Sequence, residues 1–136
     1  MVDNIADERR ILKQHLTRYY QIKQRQELLR NRLAELQTGN QARKHGEISS
    51  VEKRIMEQAE AAEQSALEIM DIIELLPEAS TERTIMELRH IDCKPWREVH
   101  AAVHLTRSPC YEYYKRGLDT LLKAPTVREA IGLVQR

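Results

Sequence analysis

The sequence has very few of the residues from which large aromatic cores and disulfide frameworks are built. It contains no Phe, one Trp and five Tyr, so aromatic residues make up 4% of the chain. Its two cysteines, Cys93 and Cys110, are too few for a disulfide framework and lack CxxC spacing. No segment approaches the ~18 apolar residues of a membrane helix, and the amino terminus lacks an apolar signal region. We therefore expect a cytoplasmic chain without a membrane segment.

Glycine and proline are also scarce, with four of each, whereas charged residues make up 32% of the chain. From about Asn4 to Gln37 there is neither Gly nor Pro, and apolar residues recur at spacings of three, four and seven. Such spacing predicts one long amphipathic helix. Its apolar stripe is formed by Leu12, Leu16, Tyr19, Ile22, Leu29, Leu33 and Leu36.

A second long helix is predicted between a glycine-containing turn at residues 38–46 and Pro77. Ser49 and Glu52 have the spacing of a capping box, which indicates that this helix begins near Ser49. The apolar positions Val51, Ile55, Ala59, Ala62, Ala66, Ile69, Ile73 and Leu76 continue its stripe.

The net charge of +1 hides an uneven distribution along the chain. Residues 1–46 contain 10 basic and 5 acidic side chains, residues 47–80 contain 2 and 9, and residues 81–136 contain 10 and 7. Opposite charge favours antiparallel pairing of the two long helices, either within one chain or between two copies. A basic first helix can also touch nucleic acid, but pairing with the acidic helix is the simpler interpretation.

The last third of the chain has shorter helical segments separated by breakers. Ser80 or Thr81 can cap a helix that runs to about residue 91, and further helices are predicted at 96–103 and 107–122. The connection of three residues between the last two is typical of a helix-turn-helix. A short final helix is expected within 124–136.

Within this pair of helices, the spacing separates a core face from an outer face. The expected core consists of Val99, Val103, Leu105, Cys110 and Tyr113, and Trp96 is also expected to pack inside. The residues that we expect to contact DNA are Arg107, Ser108, Tyr111, Glu112, Tyr114, Lys115 and Arg116 on the third helix, and Arg97 on the second.

This region resembles a known family. The residues that carry the resemblance are Glu82, Arg83, Leu88, Arg89, Ile91, Asp92, Trp96, Glu98, Val99, Leu105, Thr106, Arg107, Ser108, Tyr111, Leu118 and Leu121. They resemble sigma factor region 4, and more closely the phage late-transcription regulators of the RinA and ArpU type. The resemblance covers about a third of the chain and implies promoter binding without promoter melting. The chain departs from the family pattern at His100, which replaces a small Ala, and at Cys93 and His104, which replace Gly.

A metal site and an enzyme are the other possibilities that the residue types raise. The spacing of His90, Cys93, His100, His104 and Cys110 is compatible with zinc, but small buried cysteines and surface histidines explain it more simply. No nucleophile with a base, phosphate loop or paired acidic site stands out. We expect no enzyme activity, no cofactor and no metal.

The sequence therefore predicts an all-α fold, with a helical hairpin or coiled-coil arm at residues 1–76 and a helix-turn-helix domain at residues 77–136. The function expected is that of a sequence-specific transcription regulator from a phage or prophage, which binds double-stranded DNA as a homodimer through its N-terminal helices. One alternative is an adaptor that docks on RNA polymerase or another regulator. A terminase small subunit is a further alternative, although its usual domain order is reversed.

Overall fold

A computed structural model of the chain describes residues 4–38 and 45–134, and its regular elements there are all helices. The helices are α1 (Ile5–Leu16), α2 (Arg18–Thr38), α3 (His45–Ile73), α4 (Thr81–Met86), α5 (Trp96–Val103), α6 (Arg107–Leu121) and α7 (Pro125–Ala130), and α4 continues into a π-helical turn at Glu87–Ile91. The predicted all-α fold is confirmed. Within the described ranges, no helix combines the length and the hydropathy needed to cross a bilayer.

The first long helix is interrupted once, at Thr17. The Thr17 amide and hydroxyl both donate to the Lys13 carbonyl, at 3.0 and 2.6 Å, and Thr17 has ψ −6° where α1 ends and α2 begins. The predicted apolar stripe continues across this break, because Leu12, Leu16 and Leu36 are buried.

Helices α2 and α3 form an antiparallel hairpin within one chain. His15 near its base lies 2.9 Å from Glu68, and Arg32 toward its tip lies 3.5 Å from Glu47. The predicted turn falls largely on residues 39–44, outside the described residues. The predicted start at Ser49 is wrong, because α3 is already helical at His45 and Ser49 lies on its exposed surface. Pairing with α2 extends the helix upstream of the local capping signal.

The C-terminal helices follow the sequence pattern closely. The Ser80 hydroxyl accepts a hydrogen bond from the Arg83 amide at 3.2 Å and caps α4, as its position predicts. Helices α5 and α6 have the predicted bounds to within one residue. The short final helix lies within the predicted range, at Pro125–Ala130.

One hydrophobic core joins the base of the hairpin to the C-terminal helices. It contains Leu12 and Leu16 from α1, Ile69 and Ile73 from α3, and apolar residues from α4 to α7. The core is continuous across residues 76 and 77, so the division of the chain into two domains there stays a prediction.

A buried ion pair fastens α1 to α7. The Arg128 guanidinium donates to both Glu8 carboxylate oxygens, at 3.1 and 3.0 Å, and the two side chains are 4% and 8% exposed. Arg128 also donates to the carbonyls of Leu122 and Val134. Helix α1 is thereby fixed against α7.

Candidate nucleic-acid interface

Helices α5 and α6 are joined by a tight turn, His104–Thr106. His104 has φ 56° and ψ 40°, in the left-handed region, and the Leu105 amide donates to the His100 carbonyl at 3.1 Å. Among the described residues, His104 and Cys93 are the non-glycine residues with positive φ. The regulators that this sequence resembles have Gly at these two positions. Gly adopts a positive φ without steric cost, which explains why it suits them.

The buried face of α6 holds the helix firmly on the core. It consists of Cys110, Tyr114, Gly117, Leu118 and Leu121, which recur at spacings of three and four. A Cβ on Gly117 would lie 3.1 Å from Met86 and 3.2 Å from Glu82, so this glycine permits close packing of α6 on α4.

Tyr114 is the predicted contact residue that the structure places elsewhere. It is 2% exposed, its hydroxyl lies 2.8 Å from His90 Nε2, and Trp96 packs edge-on against its ring at 5.0 Å. The expectation that Tyr114 faces outward is wrong. Tyr114 stands four residues after Cys110 and four before Leu118, and this spacing returns it to the core face. Tyr113 is partly buried beside the core, and the Arg116 guanidinium lies 5.0 Å from its ring.

His90 and Tyr114 form a buried polar pair beneath α6. Burial lowers the pKa of His90 to about 3, with smaller contributions from the positive charges of Arg89 and Lys13. Burial also raises the pKa of Tyr114. Both side chains are therefore neutral at physiological pH, and their hydrogen bond fixes the middle of α6 without a buried charge.

The first two turns of α6 present an accessible polar face. Arg107, Ser108 and Glu112 are exposed, and Tyr111 is 50% exposed. Arg97 is exposed near the start of α5. These five residues, predicted as contact residues from spacing, lie on accessible surface.

The four cationic residues that are predicted to contact DNA have different surroundings in the structure. The Lys115 ammonium lies 3.5 Å from Glu112, and the Arg116 guanidinium lies 3.5 Å from Glu82. Neither Arg97 nor Arg107 has a carboxylate within 4.0 Å in the described part of the chain. Arg97 and Arg107 are therefore the more available partners for an anionic ligand.

Helix α1 lies beside α6, which the sequence pattern did not indicate. Arg9 Nε and Nη2 donate to the Asp119 carboxylate at 2.6 and 2.8 Å. Between α1, α5 and the start of α6 there is an open cleft of about 590 Å³, whose walls include Lys13, His100 and Arg107. No local signal could predict this, because Arg9 and Asp119 are 110 residues apart in the sequence.

The histidines and cysteines that suggested zinc are separated by the fold. His90 points to Tyr114, Cys110 is buried in the core, and Cys93 is a partly buried free thiol. Across residues 4–38 and 45–134, no three His, Cys, Asp or Glu side chains are grouped closely enough to hold a metal ion.

Comparisons with family models, with curated proteins and with solved structures found no match to this chain. The resemblance to the RinA and ArpU regulators stays a prediction from the residues that carry it.

Proposed function

We propose that this chain is a transcription regulator that binds double-stranded DNA, with α5 and α6 acting as a helix-turn-helix. The observation that carries the proposal is the accessible start of α6. Its exposed residues Arg107, Ser108 and Glu112 stand on a helix whose opposite face is fixed in the core. A rigid helix with a polar, accessible N-terminal half is the element that such motifs insert into the major groove.

Each exposed group has a chemical role in this arrangement. Ser108 and Glu112 lie one turn apart and can reach base edges, where a carboxylate accepts from the cytosine amino group. Arg107 and Arg97 are free to bind phosphates or guanine. Lys115 and Arg116 can also bind phosphates, but each must first release its carboxylate partner.

The regulator acts as a dimer through its N-terminal helices. Residues 81–136 have a net charge of +3, which gives a single copy little electrostatic affinity for DNA. The hairpin closes within one chain, so a second copy would pack on its outer surface. Leu28, Met56 and Leu67 support this role, because they are 68%, 69% and 56% exposed on α2 and α3. Doubling the contacts through a dimer strengthens binding and favours paired half-sites.

The first test is affinity selection of random duplexes with the full chain, read by sequencing. We expect one enriched motif in two copies at a fixed spacing. Arg107→Ala should weaken binding to the enriched duplex, whereas Lys123→Ala, in the turn that follows the far end of α6, should not. Failure to enrich any sequence would contradict the proposal.

Light scattering that reports a monomer while DNA binding persists would contradict the dimer.

A second candidate function is an adaptor that docks on RNA polymerase or another regulator. The exposed apolar residues of α3 favour it, because Met56 and Leu67 lie among acidic residues on an accessible helix face. Changing both Arg107 and Lys115 to Ala separates the two candidates. Loss of duplex binding with the fold intact supports the regulator, whereas loss of a polymerase complex with duplex binding unchanged supports the adaptor.

A further inference from the structure

Helix α1 is a fixed part of the surface that surrounds α6. Leu12 and Leu16 are buried beneath it, Arg9 is bonded to Asp119 on α6, and Glu8 is bonded to Arg128 on α7. These contacts hold α1 against both α6 and α7. The position of its remaining, solvent-facing residues relative to α6 is therefore defined.

Two cations of α1 lie on the side that adjoins the start of α6. Lys13 is exposed and lines the same cleft as Arg107, with its ammonium 6.0 Å from the centre of the Tyr114 ring. Arg10 lines the adjoining groove, which Lys13 and Tyr111 share. Tyr111 thus stands between the exposed face of α6 and the cationic edge of α1.

The charges along this edge are available for an external anion. Lys13 has no carboxylate within 4.0 Å among the described residues, and Arg10 forms an i,i+3 ion pair with the partly exposed Asp7 at 3.7 Å. The cations farther along α6, Lys115 and Arg116, each have a carboxylate of this chain at 3.5 Å. Among the described residues, Lys13 therefore adds, on the side of α1, a cation without a carboxylate partner to the two such arginines at the starts of α5 and α6.

The width of the DNA major groove determines which part of the duplex this cationic edge of α1 would meet. The major groove is about 12 Å wide and admits one helix of about 10–12 Å diameter. A neighbouring helix packed at about 8–10 Å from α6 cannot enter the same groove and must lie over its sugar-phosphate border. A long cationic side chain on that neighbour then meets phosphates.

We propose that α1 forms part of the DNA interface, with Lys13, flanked by Arg10, binding phosphates of the strand that borders α6. This rests on the proposed function. Part of the basic charge in the first predicted helix, at Arg10 and Lys13, then serves to bind DNA and not to pair with α3. The contacts on this side are phosphate contacts, so they add affinity on every sequence and do not select the motif.

Salt dependence of duplex binding tests the proposal, using the full chain and the duplex enriched by the wild type. Lys13→Gln should lower the slope of log affinity against log salt by about 0.9, and the double change with Arg10→Gln by about twice that. The enriched motif should not change. Lys123→Gln removes the same charge in the turn that follows α6 and should leave the slope unchanged. Lys13 is exposed, and the helical circular dichroism of each variant checks its fold.

A second measurement places the contact on the DNA. Single phosphates of the enriched duplex are replaced in turn by neutral methylphosphonates. Neutralising one phosphate at the border of the groove should weaken duplex binding by the wild type and leave duplex binding by Lys13→Gln unchanged. An unchanged salt slope together with equal phosphate profiles for the two proteins overturns the role of α1, while loss of binding in Arg107→Ala keeps the proposed function. If the wild type binds no duplex at all, both proposals are overturned.

Discussion

Acidification should weaken the fold through His90, the buried histidine beneath α6. Its pKa in the folded chain is about 3, against an ordinary value of 6.5. Between these values the unfolded chain binds more protons than the folded chain, so the free energy of unfolding falls as the pH falls. Integrating this difference from pH 7 to pH 5 gives a loss of about 2 kcal/mol from this one residue.

The assay compares the wild type with His90→Gln, which keeps a polar group beside the Tyr114 hydroxyl but cannot titrate. Urea unfolding, followed by helical circular dichroism at both pH values and constant ionic strength, gives the free energy of unfolding of each protein. The other ionisable groups are common to both proteins and cancel in the comparison. The variant should lose about 2 kcal/mol less than the wild type over this range.

Equal losses in the two proteins would refute this reasoning. So would a nuclear magnetic resonance titration in which the His90 ring of the folded protein becomes protonated between pH 7 and pH 5. Because His90 stays neutral in the folded chain over this range, its hydrogen bond to Tyr114 on α6 is kept. We therefore expect duplex affinity not to decline beyond the decline of His90→Gln while the chain stays folded.

Three further predictions concern α6 and its turn, and urea unfolding measures each. Tyr114→Ala should lower the free energy of unfolding by about 3–5 kcal/mol and Tyr111→Ala by no more than about 0.5 kcal/mol, and the reverse order would contradict the burial of Tyr114. Gly117→Ala should lower it by about 1 kcal/mol, because the new Cβ would lie 3.2 Å from Glu82 Cβ and this overpacking exceeds the gain in helix propensity. An increase in the stability of Gly117→Ala would show that α4 shifts to make room for the new Cβ. His104→Gly should raise the free energy of unfolding by up to about 1 kcal/mol, because glycine adopts φ 56° without strain and His104 does not. A loss of stability in this variant would show that His104 is not strained.

Local signals in the sequence predicted the helices and most of their ends. The stripe from Leu12 to Leu36, the cap at Ser80 and the turn after Val103 depend on residues within a few positions of one another. Such signals fail when a distant contact outweighs them. The Ser49 capping box is overridden because α3 continues along α2, where Glu47 lies near Arg32.

The candidate site was predictable only in part, for the same physical reason. The spacing correctly placed Arg107, Ser108, Tyr111 and Glu112 on accessible surface. It placed Tyr113 in the core and Tyr114 on the outer face, although positions three and four after Cys110 both face the core side of a helix, and it is Tyr114 that is buried.

The position of α1 was beyond the reach of the sequence pattern. It depends on pairs such as Glu8 with Arg128, 120 residues apart. Helical periodicity describes which face of α1 is apolar, but not which helix that face packs against.

The most direct test of the central claim is to map the DNA-binding surface by nuclear magnetic resonance, adding the enriched duplex to the isotopically labelled chain. We predict that the largest amide shifts fall on the first two turns of α6 around Ser108 and Glu112, at Arg97, and on α1 at Lys13. If the duplex leaves these amides unshifted and perturbs the hairpin instead, α6 is not the DNA-binding helix.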